Sequence, residues 1–116
     1  MVNKLAFLVG LSDRKIRPIA KELITAKTRI SDPDKWCQGA YEHDGKLCAV
    51  GAVGRTNYGA ANWLNDSSYR LYGRSITAVN DWEGYSAVME VFDHAIQRAI
   101  SQCRYESDPL PLRVAA

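Results

Sequence analysis

No apolar run in this 116-residue chain approaches the length that crosses a bilayer. The longest, residues 5–9, holds five residues, against about 20 for a membrane-spanning helix. Lys4 precedes that run as in a secretory leader, but residues 10–15 turn charged at once and offer no small-x-small cleavage site. Cysteine is sparse and odd in number: Cys37, Cys48 and Cys103, with no C-x-x-C spacing and only two histidines, His43 and His94. That excludes a disulfide framework and a zinc-type motif. Free thiols, no metal, no cofactor and a cytoplasmic location are therefore expected. The glycines make no phosphate loop, since residues 51–54 lack the accompanying lysine. No carboxylate pair sits at a spacing that demands acid–base chemistry. Repeats and low-complexity stretches are missing too.

What is present is an ordinary globular composition, 47% hydrophobic and 24% charged. The length suits one domain, read here as residues 1–106 with a Pro-containing flexible tail at 107–116. The net charge is only +2, unevenly spread. Residues 1–58 carry ten basic and six acidic side chains, and all six lysines. Six of those basic residues, Arg14, Lys15, Arg17, Lys21, Lys27 and Arg29, could form one anion-binding patch, although a solvated helix face explains them as simply.

Helical spacing of Ile16, Ile19, Ala20, Leu23, Ile24 and Ile30 predicts a helix that starts near Arg17 and stops before Pro33. Asp44-Gly45 predicts a tight hairpin turn with short strands beside it. Residues 48–54 fit either a buried strand or a small-residue helix, and residues 5–9 are equally open. Tyr58 to Leu64 reads as a short helix ended by the polar run 65–68, followed by a connector. Ser75 is placed to cap a further short helix. The clearest element is the last: Tyr85, Val88, Met89, Phe92, Ala95, Ile96, Ala99, Ile100 and Cys103 keep the three-and-four spacing.

Four blocks stand out in order: Trp36-Cys-Gln-Gly-Ala40, Cys48-Ala-Val-Gly-Ala52, Ile76-x-x-x-Asn80-Asp81 and Phe92-Asp-His-Ala-Ile96. The set resembles a family of small bacterial and phage-associated proteins with no assigned activity, over roughly residues 17–100. The resemblance implies a helix-rich domain and favours the helical reading of residues 48–54. Two departures are visible. Val79 stands where that family usually has tryptophan, and Gly84-Tyr85 stands where it often has Thr-His, so no catalytic role carries over to that place.

The expected fold is mainly α (α+β): a small single domain of about five helices, with a short hairpin around Asp44-Gly45 packed against the final helix. Cys48 is the sharpest chemical candidate, since a helix start lowers a thiol's pKa. With His43 as base and Asn80 or Asp81 as orienting group it would make a cysteine hydrolase or transferase. A buried, structural Cys48 is the preferred reading. Asn80 and Asp81 are read first as caps of the last helix, and Asp93 and His94 as a solvated face. Trp36, Gln38, Asn80, Asp81 and Trp82 are the candidate binding residues. The favoured function is a non-enzymatic protein-binding or accessory module, with a nucleic-acid-associated regulator as second alternative. A protein partner is expected, a second copy of the chain being one candidate, and no membrane.

Overall fold

The computed structural model describes residues 18–105, with side chains described for 18–101. The readings made for residues 5–9, the tail, Arg14, Lys15, Arg17 and the Cys103 side chain lie outside what is described. Among the described residues there are five α-helices and one two-stranded sheet. The expected mainly helical domain is what forms.

Helix α1 (Pro18–Arg29) buries Ala20, Leu23 and Ala26 on one stripe. Its end is closed by the Tyr85 hydroxyl, which donates to the Ile30 carbonyl at 2.7 Å and the Ser31 carbonyl at 2.5 Å. A 3₁₀ turn (Pro33–Lys35) follows, capped by the Asp32 carboxylate. Strands β1 (Glu42–His43) and β2 (Lys46–Leu47) pair antiparallel. Asp44 and Gly45 both take positive φ between them, as the Asp-Gly signal requires. The hairpin's main neighbours are the 3₁₀ turn and helix α2 (Ala49–Val53), not the final helix that the sequence suggested. Residues 48–54 are thus resolved in favour of a helix, and Cys48 stands just outside it as the cap.

Helix α3 (Tyr58–Tyr72) corrects the sequence reading that ended it near residue 65. The polar run does not break the helix because its side chains find partners on other elements. Asn65 accepts from the Ile76 amide at 2.8 Å, and Ser68 donates to the Arg74 carbonyl at 2.7 Å. Gly73 then stops the helix in the left-handed conformation, φ +70°.

Ser75 caps helix α4 (Ile76–Ala78) by accepting from the Ala78 amide. The chain runs on into a π-helical turn (Val79–Glu83) and then helix α5 (Tyr85–Tyr105). Helix α5 packs against α1 and α3. Val88, Phe92, Ala95, Ile96 and Ala99 are buried as the spacing predicted; Val91 joins them, and Met89 is only half-buried. No helix among the described residues is long and apolar enough to cross a membrane.

Candidate functional site

Three of the four sequence blocks meet around one side chain, Asn80. The π turn rotates Asn80 inward, where it is 1% exposed. Its Oδ1 accepts from Trp36 Nε1 at 2.7 Å and from the Ala49 amide at 3.0 Å. Its Nδ2 donates to the Cys37 carbonyl at 3.0 Å and to Asp81 Oδ1 at 3.1 Å. Asp81 Oδ1 also accepts from the Gly39 amide at 2.9 Å. Gln38 Nε2 completes the knot by donating to the carbonyls of Asn80 and Asp81, at 3.1 and 3.2 Å. Trp36 additionally meets the Tyr85 ring edge-on, centroids 5.4 Å apart. Asn80 and Asp81 are therefore not caps of the last helix. Asn80 instead satisfies the first amide of α2, 31 positions away in the chain.

Trp36, Gln38, Asn80 and Asp81 come together, but each is turned toward the others. Trp82, the fifth binding candidate, behaves differently. It is 78% exposed, although the chain on both sides of it is fixed. On one side lies the Asn80–Asp81 knot. On the other, Glu83 pairs with Arg74 at 3.2 Å, and the Gly84 amide closes the π turn on the Val79 carbonyl.

The cysteine set does not assemble. Cys48 is 7% exposed, and its Sγ accepts from the Gly51 amide at 3.3 Å. His43 stands out on the hairpin and pairs with the neighbouring Asp44 at 3.3 Å. Asp81 is engaged with Gly39 and Asn80. The other thiol of the region, Cys37, is half-buried, and burial pushes its pKa up, with nearby Cys48 acting in the same direction. The residues Cys37 and Cys48 are free thiols, and no His, Cys, Asp and Glu group among the described residues could hold a metal ion.

Of the basic patch, three residues are described. Lys21 is exposed, Lys27 pairs with Asp93 at 2.6 Å, and Arg29 donates to the Ala52 carbonyl at 2.5 Å.

A second polar cluster escaped the sequence reading. His94 is not simply solvated: its Nδ1 lies 2.9 Å from the Oγ of fully buried Ser67. Arg98 donates to the same hydroxyl at 2.9 Å and to Asp66 at 2.7 Å, while its guanidinium stacks 4.5 Å from the Trp63 ring centre. Burial, then the charges of Arg98 and Arg70, push the His94 pKa down. An open cleft of about 310 Å³ borders this cluster. Its two arginines, Arg70 and Arg98, already share the Asp66 carboxylate. A signal for the cluster was available, since Ala60, Leu64, Ser67 and Ser68 lie on one helical stripe once α3 is read through to residue 72.

No curated protein and no solved structure matches the chain. Residues 15–98 match a family model that brackets all four blocks. On that match the chain belongs to DUF6197, a family of unknown function.

Proposed function

We propose that the chain is a non-enzymatic binding module whose contact surface for a protein partner is centred on Trp82. The observation that carries this reading is an indole held 78% exposed on backbone fixed at both ends. An isolated exposed apolar residue is ordinary. A tryptophan on a preorganised turn is less so, because it gives up little conformational freedom on binding. Tryptophan is also the residue type most enriched at the energetic centres of interfaces, and single π turns recur at functional sites. The cysteine-enzyme alternative finds no such support, since the thiol is buried and serves as a cap.

Photo-crosslinking in the producing cell tests the proposal. A photoreactive residue is placed at position 82, or at position 58 as control; Tyr58 is 71% exposed on α3. The expected result is a discrete protein adduct from position 82 and none from 58, with capture by the unmodified bait lost in Trp82→Ala. Equal labelling from both positions, or no adduct from position 82, overturns the reading.

A further inference from the structure

Cys37 and Cys48 are brought to adjacent places by contacts that do not involve their thiols. Trp36 and Leu47 form a parallel bridge, and the Cys37 amide donates to the Leu47 carbonyl at 3.0 Å. Cys37 and Cys48 are therefore the next residues in register beyond that bridge. In register, neighbouring parallel strands run about 4.8 Å apart, within the Cα separation of roughly 4.4–6.8 Å that a disulfide spans. Asn80 reinforces the placement independently. One side-chain amide grips the Cys37 carbonyl and the Ala49 amide together, so the peptide units at both cysteines are held to a single group. The Cys37 sulfur also lies 3.6 Å from the Lys46 carbonyl, two residues before Cys48.

We infer that Cys37 and Cys48 form a two-thiol redox site that a hydroperoxide oxidises to an intramolecular disulfide. Half-buried Cys37 is the more accessible thiol. Its thiolate attacks one peroxide oxygen, the O–O bond breaks, and Cys37 becomes a sulfenic acid as water or an alcohol leaves. The Cys48 thiolate then attacks the Cys37 sulfur and the S–O bond breaks. The hydroxide that leaves takes up the proton that Cys48 gave up. For hydrogen peroxide, two thiols and one peroxide yield one disulfide and two waters. The bond would tie residues 36–39 to the start of α2 and draw the Cys48 sulfur from its role as acceptor for Gly51. Because the Cys37 pKa is raised, oxidation is slow at neutral pH and quickens as pH rises. This site stands whether or not Trp82 contacts a partner.

The parent protein itself serves for the test. It is treated with hydrogen peroxide under native conditions, alkylated in denaturant and digested with trypsin. Cleavage after Lys35, Lys46 and Arg55 places the two cysteines in separate peptides, residues 36–46 and 47–55. The expected product is these two peptides joined, lighter by two hydrogen atoms than their sum, forming faster at higher pH and separated by dithiothreitol. Recovery of both peptides alkylated, or oxidised at a single sulfur without the link, overturns the inference. So does pairing of either with Cys103 in place of each other.

Discussion

Asn80 uses the whole hydrogen-bonding capacity of its amide: two donors reach Asn80 Oδ1, and Nδ2 reaches two acceptors. Its residue type was legible as important, because it sits in an ordered block, but its direction was not. Asx residues before a helix normally cap it, and only the π turn sends this one inward. The same limit applies to Cys48 and His43. They stand five positions apart in sequence, yet the hairpin leaves His43 on the surface while Cys48 turns under it. At this scale His94 yields a pH prediction. The groups around it are Arg98 and Arg70, which disfavour its proton, and Asp66 and Glu90, which favour it. The net pKa is lowered, so the unfolded chain binds the proton more readily than the native state. Stability from this group is full above the unfolded histidine value of about 6.5 and falls as pH drops below it, toward the lower native value. Urea midpoints between about pH 7.5 and 5.5 should fall in the parent and fall less in His94→Gln. Equal declines in the two proteins would contradict the assignment.

Elements with strong apolar spacing were legible: α1 and α5 lie where their periodicity placed them, and Asp44-Gly45 makes the hairpin. Two features were less legible, the length of α3, which was read too short, and the choice between strand and helix that periodicity left open for α2, because tertiary partners decide what polar and small residues do. Helix α3 continues through Asn65 and Ser68 because other elements satisfy their side chains. Helix α2 keeps Gly51 for a reason no periodicity contains. A Cβ there would lie 2.1 Å from the Tyr41 carbonyl oxygen, and that oxygen is already the acceptor for the Cys48 amide. It is the backbone at Tyr41, just before the hairpin, that approaches so closely. Gly51→Ala should therefore lower stability by about 2 kcal/mol or more, as overpacking does. Gly59→Ala is the control: nothing lies nearer than 3.9 Å, and alanine's better helix propensity should leave stability equal or raise it by up to about 1 kcal/mol. Chemical denaturation that shows the two substitutions alike would refute this account of α2. For α5, Phe92 is fully buried in the core. Phe92→Ala should cost about 3–5 kcal/mol, most of what a small domain possesses. A melting temperature within a degree or two of the parent would show that α5 is not the core element described.

At the scale of the whole molecule, the ordered blocks divide into what holds the fold and what faces outward. Trp36, Gln38, Gly39, Asn80 and Asp81 bond to one another across segments far apart in sequence. They join the 3₁₀ turn, the start of α2 and the π turn into one body. Trp82 rests on that body and contributes its face to the surface. The helical class and the presence of the blocks could be read from the sequence. The division of labour among the blocks could not, because it depends on one buried amide that three segments share. Asn80→Ala leaves the Trp36 indole N–H, the Ala49 amide and the Cys37 carbonyl without that partner, and each unsatisfied buried group costs about 1–3 kcal/mol. Trp82→Ala removes almost no buried area. The most direct measurement is thermal denaturation of Asn80→Ala and Trp82→Ala beside the parent. The account predicts that Asn80→Ala melts many degrees lower or does not fold, while Trp82→Ala melts within a degree or two of the parent. A stable Asn80→Ala, or a Trp82→Ala that loses as much as Asn80→Ala, would contradict it.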